Sequence, residues 1–587
     1  MKLSDYVMLY LRDKGVRIIF GYQGSSVSHI IDSLHKVKEL RYIQNNHEQA
    51  SAFSANAYSQ ISGSLGVALS CSGPGATNLI TGIANAYFDS IPCLFITGQV
   101  SLAGIKSHPL IRQHGFQETD IVSIVRPITK FAVTIMSPDE IRFNLEKAVY
   151  LAQVGRPGSV LIDIPHNLQS SDIEPQTLTS FFDSDEFRSL ITSYNEIDDK
   201  IINEVYQLLA NANRPVLLLG GGASHLKGSG LIEKFISKCH IPVVASLKGL
   251  DIFSHHHECF SGFIGAYGNR YANFCVACSD VLLVLGSRLD TMQTGTDIKQ
   301  FARNTKIIHV DVDIHELNRI DRNKVDIHCD VSLFLDKLVK YTDDKPFSVD
   351  QWLQTVDAWK KKYPSGIQEN SSYVNPNEII SALDEYLTEN AIICCDVGLN
   401  QMYVAQSIIL NGKRSLLTSG GHGAMGYSLP AAIGAFSFSM DRQIISIVGD
   451  GGIQMNSQEL HTIVKERIPV KIIIMNNTSL GMIRSYQEKA LGGKTFGSVA
   501  GFSSPDYHKI ADAYGFKYFK ISSMSDFEIN AFELTSIEPC IFEIILDPHS
   551  EINPGPAYNR PVEDQHPLID REEYKQIINL ICKNSKP

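Results

Sequence analysis

The stretch over residues 443–486 constrains this chain more than any other. It holds an apolar run at 444–448, the turn Gly449-Asp450-Gly451-Gly452, an amphipathic segment, a second apolar run at 470–475, and then Asn476-Asn477. Two apolar runs joined by a glycine turn and a helical pattern make a βαβ unit, because parallel strands need a crossover connection. Asp450 follows the first strand and Asn477 the second, so both belong to the carboxyl edge of a parallel sheet, where such folds bind ligands. Oxygen donors at that edge suit Mg²⁺ holding a diphosphate, since magnesium takes an octahedron of oxygens and shares several with phosphate. Gly449, Gly451 and Gly452 let backbone approach the anion, and the helix that follows offers its first N–H groups.

At 587 residues the chain is too long for one core, and about one domain per 100–200 residues predicts three or four. Its formal charge of −11 lacks the clustered lysine and arginine of a nucleic-acid footprint. The N-terminus has no apolar h-region, so no signal peptide is expected. No apolar run reaches the roughly 18 residues of a membrane span. Eleven scattered cysteines read as reduced thiols in a cytoplasmic protein. Cys275-Val276-Ala277-Cys278 reads as a buried helix face, and His255-His256-His257 as a solvated loop.

Residues 1–170 alternate helix and strand: helix 3–14, strand 18–20, the turn Gly21-Tyr22-Gln23-Gly24, helix 26–35, strand 41–44, and a small-residue helix over 50–60. Glu48 falls at a strand end beside a helix N-terminus, where the helix dipole favours a carboxylate. Strands at 66–71 and 93–97 continue the pattern, which predicts a parallel sheet covered on both faces. Residues 171–200 read as a linker, 201–342 as a second α/β domain, 343–374 as a second linker with the solvated run Lys360-Lys361-Lys362, and 375–550 as a third domain. The fold class expected is therefore α/β, with three doubly wound parallel-sheet domains. In the middle domain Gly220, Gly221 and Gly222, then Arg288, then Asp311 follow successive strands, as in dinucleotide-binding sheets. Open α/β sheets carry glycine at such turns whatever they bind. A Pro/Gly-rich tail, 551–587, is either a surface tether or a mobile cover.

Gly449-Asp450-Gly451, then 24 residues, then Asn476-Asn477 resembles the diphosphate-binding motif of thiamine diphosphate (ThDP) enzymes. Seven further motifs are similar to that family in its acetolactate synthase branch: Gly21-Tyr22-Gln23-Gly24, His47-Glu48-Gln49-Ala50, Ser72-Gly73-Pro74-Gly75-Ala76-Thr77-Asn78, Ile96-Thr97-Gly98-Gln99, Phe116-Gln117-Glu118-Thr119-Asp120-Ile121, Gly155-Arg156-Pro157-Gly158, and Ser419-Gly420-Gly421-His422-Gly423-Ala424-Met425-Gly426. The resemblance implies a pyrimidine-binding first domain, a central domain and a diphosphate-binding third domain. It implies Asp450, the Asn477 side chain and the Ser479 carbonyl as Mg²⁺ ligands. Glu48 would hydrogen-bond N1′ of the aminopyrimidine, and a carboxyl in that role has to be shielded from water. Met425 would prop the two cofactor rings in a V, with Gly423 and Met482 beside it. Gln117 and Gln23 become polar contacts to the donor intermediate, and Lys130 a pocket-rim lysine. Arg156, Gly220 to Gly222, Arg288, Asp311 and Asp330 stand where such chains hold FAD. In the family Glu48 and the diphosphate site come from different subunits, which implies a homodimer or tetramer.

The activity implied is decarboxylation of pyruvate and transfer of its two-carbon acetyl unit, held as a carbanion on the cofactor, to a carbonyl acceptor. Two acceptor-side positions depart from the branch. After Arg288-Leu289-Asp290-Thr291 stands Met292 in place of an arginine that clamps the acceptor carboxylate, and Tyr486 stands in place of a tryptophan. A thioether offers no donor to a carboxylate. Two readings stay open: a carboxylate-free acceptor such as a nucleotide-linked ketosugar, or a plain acetolactate synthase in which Arg484 or another base does the clamping. A pyruvate oxidase or decarboxylase is a further alternative; the decarboxylase's adjacent histidine pair is missing, its nearest approach being Gln113-His114.

Overall fold

Apolar strands separated by helical segments have no hairpin partner and must pair through crossovers. In the computed structural model of the chain, which describes residues 1–108, 110–190, 197–343, 345–367 and 372–582, they form three parallel six-stranded sheets. The first holds β1 (Ile18–Gly21), β2 (Arg41–Gln44), β3 (Gly66–Ser70), β4 (Cys93–Gln99), β5 (Phe131–Thr134) and β6 (Ser159–Pro165), ordered β2-β1-β3-β4-β6-β5. The central sheet holds β7 (Pro215–Leu219), β8 (Val243–Ala245), β9 (Phe260–Phe263), β10 (Val281–Leu285), β11 (Lys306–Asp311) and β12 (Lys324–His328), ordered β12-β11-β10-β7-β8-β9. The last holds β13 (Ile392–Cys395), β14 (Ser415–Leu417), β15 (Ile444–Gly449), β16 (Lys471–Asn476), β17 (Lys517–Ile521) and β18 (Cys540–Ile545), ordered β14-β13-β15-β16-β18-β17.

The first and third sheets thus share one topology, and the central sheet has the order of dinucleotide-binding folds. The first and third reverse at the outer pairs β6-β5 and β18-β17, and each of the three also has a reversal inside the sheet. Those inner switch points lie between β1 and β3, β7 and β10, and β13 and β15, and they open crevices at the carboxyl edge.

One apolar cluster runs from the first sheet into the third, through Phe53, Ala55, Tyr427, Ile433 and Ile444. At its centre the helix Glu48–Ser62 crosses the helix Ser428–Phe438, and a Cβ on Gly434 would stand 2.0 Å from the Ser54 carbonyl oxygen. Ser54 Oγ donates to Pro430 O at 2.8 Å across the same crossing. Close approach of two helices needs a residue without a side chain here.

Two expectations change on contact with the structure, and one open alternative closes. His255 is not solvated: its ring stacks on Phe260 at 3.9 Å, and its nitrogens lie 3.0 Å from Ile408 O and 2.8 Å from Leu250 O. A flat, amphipathic ring satisfies backbone carbonyls that the turn leaves exposed. The stretch around Lys360 is a helix, Asp350–Lys362, whose Trp352 and Trp359 are buried against the central domain while Lys361 and Lys362 face solvent. The tail is a tether: Gln406 Nε2 donates to Pro554 O, Asn273 Nδ2 to Val562 O, and the Arg270 guanidinium to Gln565 O and Pro567 O. Cys275 and Cys278 lie on a fully buried helix, Arg270–Cys278, against which the C-terminal helix packs. Among the described residues no helix is long and apolar enough to cross a membrane.

Gly434→Ala should lower the thermal unfolding midpoint, at a cost of about 1–3 kcal/mol, because the methyl meets backbone on the facing helix. An unchanged midpoint would contradict the packing described here.

Candidate active site

β15 and β16 are neighbours in register, Gly449 opposite Met475, so the residues just past their ends stand side by side. The helix Asp450–Met455 starts directly after β15. Asp450 is 2% exposed; its carboxylate accepts from Ser504 Oγ at 2.7 Å and Gly451 N at 3.1 Å. No lysine, arginine or histidine among the described residues pairs with it, and burial pushes its carboxyl up to about 6. Ser479 Oγ, in the adjacent turn, is buried with no hydrogen-bond partner among the described residues. Asn477 is 5% exposed, and its Oδ1 accepts from Ser479 N at 3.2 Å. A buried, unneutralised carboxylate beside an amide oxygen and an orphaned hydroxyl fits a divalent cation. Tyr507 supports the turn from behind, its hydroxyl donating to Asp450 O at 2.8 Å.

Gly451 and Gly452 have internal reasons as well. A Cβ on Gly451 would be 2.6 Å from Leu480 Cδ2 and 3.5 Å from Met425 Cε, and one on Gly452 would be 3.1 Å from Asp396 Oδ1. Asp396 is the residue that sequence reasoning missed. It ends β13, at the switch point beside β15, and is fully buried. Its carboxylate accepts from Val397 N at 2.8 Å, Gly426 N at 3.0 Å and Ser428 N at 3.1 Å, which fixes the loop carrying Met425. Burial raises it to about 6 against the pull of those N–H groups. An apolar strand ending in an acid was the available signal, the same one that marks Asp450.

The rest of that loop is held from the first domain. Asp89 accepts from Gly420 N at 2.9 Å and Gly421 N at 2.6 Å, and Ser419 Oγ reaches Asn85 Oδ1 at 2.5 Å. Gly423, with φ +69°, sits at the exposed turn of the loop in a conformation that favours glycine.

Glu48 opens the helix Glu48–Ser62 and is 8% exposed. Its carboxylate accepts from Asn78 Nδ2 at 2.9 Å, and a Cβ on Gly75 would stand 3.1 Å from its Oε1, so the 72–78 loop folds around it. The residues flanking Glu48 reach the third domain: Asn45 Nδ2 and Asn46 N donate to Glu459 at 3.0 and 2.9 Å, and Asn456 Nδ2 to Gln49 Oε1 at 3.3 Å. Gln117, at φ +67°, packs over Gly73 in this crevice, and Gln23 lies exposed after β1. Met482 is half-buried against the core.

The central-domain candidates divide. Gly220 and Gly222 meet the backbone of Gly286 and Ser287, where added Cβ atoms would come within 2.2 and 2.9 Å, so turn-to-turn packing accounts for them; Gly221 abuts Lys248. Arg156 pairs with Asp313 at 3.0 Å and Glu316 at 2.6 Å, and Asp330 caps the helix Val331–Thr342. Asp311 is buried and raised to about 6, and Arg288 is half-exposed near Asp290 at 3.6 Å. Lys130 is turned inward, its ammonium on Val154 O and Arg156 O at 2.7 Å each, and burial lowers it to about 8. Arg484 is 1% exposed, its guanidinium bound to Glu488 and to Ser550 O. Its guanidinium is thus turned inward, away from solvent.

Three doubly wound domains, with an acid at the edge of the first and a cation-ready turn at the edge of the third, define a diphosphate-cofactor enzyme. Comparison with known proteins gives the family. Thiamine pyrophosphate enzyme profiles match in order: the N-terminal TPP binding domain over residues 1–124, the central domain over 202–338 and the C-terminal TPP binding domain over 396–534. The acetolactate synthase large subunit of Lactococcus lactis is 34% identical over 558 residues, covering 94% of this chain and 93% of that protein. A probable acetolactate synthase large subunit of Methanocaldococcus jannaschii is 36% identical over 578 residues (97% and 96%), and the isozyme 1 large subunit of Escherichia coli 33% over 556 (94% and 95%). The chain belongs to the thiamine pyrophosphate enzyme family, beside the acetolactate synthase large subunits, and is a ThDP-dependent carbon–carbon bond-forming enzyme.

Asp450→Asn should weaken ThDP binding in the presence of Mg²⁺ by at least about tenfold in a calorimetric titration. The same variant changes stability without cofactor. A carboxyl whose folded value lies above its unfolded one keeps its proton longer in the native state, so native stability falls as pH climbs from about 4 through 6. That decline should shrink in Asp450→Asn; wild-type affinity and an unaltered pH profile would contradict the assignment.

Proposed function

We propose that this enzyme takes pyruvate as donor and joins its two-carbon unit to a carbonyl acceptor that carries no carboxylate, of the nucleotide-linked ketosugar kind. One observation carries the acceptor half: Arg484, a cation that could replace the missing clamp, is buried on Glu488 and Ser550 O, while Met292 is 51% exposed at the clamp's position. A guanidinium fork recognises a carboxylate; a thioether does not. Bound ThDP supplies the carbanion-stabilising thiazolium. Asp450, the Asn477 side chain and the Ser479 carbonyl hold Mg²⁺ and through it the diphosphate. Met425, on the loop that Asp396 and Asp89 fix, would support the bent cofactor. Glu48, shielded by the 72–78 loop, would hold or take a proton at the aminopyrimidine N1′, and Gln117 and Gln23 would orient the donor.

The working unit we propose is a homodimer or tetramer in which Glu48 of one protomer faces the Asp450 crevice of the next. Phe116, 86% exposed beside Gln117, and Phe496, 85% exposed beyond the helix Gly481–Ala490, are apolar surfaces that a second copy would cover. We also propose FAD in the central domain: its sheet order and switch point are those of dinucleotide folds, and Arg288 and Asp311 remain for the ligand. A flavin absorption spectrum of the purified protein tests this. Free thiols throughout the described cysteines favour the cytoplasm.

Glu48→Gln should lower turnover by about 10²–10⁴-fold, the usual weight of a positioned acid–base group; a near-wild-type rate would exclude it. Incubated with pyruvate and a nucleotide-linked ketosugar, the enzyme should yield the acetylated adduct by mass spectrometry and form acetolactate only slowly from pyruvate alone. Fast acetolactate production would return the protein to plain acetolactate synthesis.

A further inference from the structure

Four segments are linked in series from Met292 to Tyr486. The turn at 265–268 lies against the helix Thr291–Thr294: Ala266 N donates to Met292 O at 2.8 Å, and a Cβ on Gly265 would stand 2.4 Å from that oxygen. The C-terminal tail crosses the same turn, Gln565 Nε2 donating to Gly268 O at 2.8 Å, and Val562 Cβ comes within 3.8 Å of the Cβ position of Gly295. So held, the tail brings Tyr558 to the helix Gly481–Ala490. Its ring centroid is 5.9 Å from that of Tyr486, with the planes at 71°.

This edge-to-face pair is half-open, Tyr558 at 50% and Tyr486 at 47% exposure, and neither phenol has a hydrogen-bond partner among the described residues. Every lysine and arginine within three residues of Met292, Tyr486 or Tyr558 is ion-paired: Arg484 with Glu488, Lys489 with Glu551 and Arg560 with Asp564. The rim therefore offers aromatic faces and two free hydroxyls, and its neighbouring cations along the chain are already paired. Such a surface suits a ring with an apolar C–H face and a hydroxyl edge, which is a sugar, and these segments hold no unpaired guanidinium or ammonium to clamp a small carboxylate.

We propose that Tyr558, delivered by the tail, forms with Tyr486 an acceptor subsite that stacks the sugar ring of a ketosugar. This rests on the carboxylate-free acceptor reading above and adds a residue outside the three catalytic domains. The test uses the holoenzyme with a nucleoside-diphosphate ketohexose and, for comparison, an acyclic ketone. Tyr558→Ala should raise KM for the ketohexose about tenfold with kcat changed less than about twofold, and Tyr558→Phe should stay within about twofold of wild type. KM for the acyclic ketone should move far less. Calorimetric titration with the corresponding nucleotide hexose that lacks the keto group should show the same loss in Tyr558→Ala. The Tyr486→Ala/Tyr558→Ala double variant should cost less than the product of the singles, since the rings act together.

Wild-type KM in Tyr558→Ala, or an equal rise for the acyclic ketone, would overturn the subsite alone. A wild-type enzyme that ignores the ketohexose and condenses pyruvate rapidly would overturn the acceptor reading, and the subsite with it.

Discussion

A carboxylate taken out of water must find donors or positive charge, and the third sheet buries two of them at its switch point. Asp396 solves the problem with protein alone, collecting three backbone N–H groups and thereby fixing the Met425 loop. Asp450 does not. It takes a long bond from Gly451 N at 3.1 Å and one from the Ser504 hydroxyl at 2.7 Å, and pairs with no cation among the described residues. The glycines, the turn of Ser479 and the support from Tyr507 all hold this under-compensated group in place. In the proposed site a Mg²⁺ ion would supply the missing positive charge.

The same sheet order serves two jobs. Parallel strands bring every strand end to one edge, so the order repeated in the first and third domains lets one present Glu48 and the other Asp450. The two are welded by the crossing at Gly434, by Asn45 and Asn46 on Glu459, and by Arg41 on Glu466 at 2.6 Å. Asp89 extends the weld to the cofactor loop itself. The residues proposed to choose the acceptor lie outside that frame: on a short helix of the central domain, the helix after Ser479 and the tail.

Much of this was legible in the chain. Asp450 and Asn477 stood out because apolar runs and glycine turns report strand ends directly, and neighbouring parallel strands put those ends together. Asp396 carries the same signal more faintly, since its strand is short and no glycine follows at once. Other residues were unreadable for a different reason. Whether Arg484 faces a substrate or a neighbouring glutamate depends on helix rotation, which a single arginine in a mixed helix does not encode. His255 needed Phe260 and the third domain's Ile408 to give it a place. The glycines at 220–222 read as a nucleotide turn, although contact with Gly286 already explains two of them. The tail's role came from side chains of the central and third domains capping its carbonyls, with Gln565 of the tail donating back to Gly268 O.

The most direct measurement is the anomalous scattering of a crystal grown with ThDP and Mn²⁺ in place of Mg²⁺. The account predicts one strong peak within coordination distance of the Asp450 carboxylate and the Asn477 side-chain oxygen, with diphosphate density beside it. A peak elsewhere, or ThDP density with the Asp450 crevice empty, would contradict it.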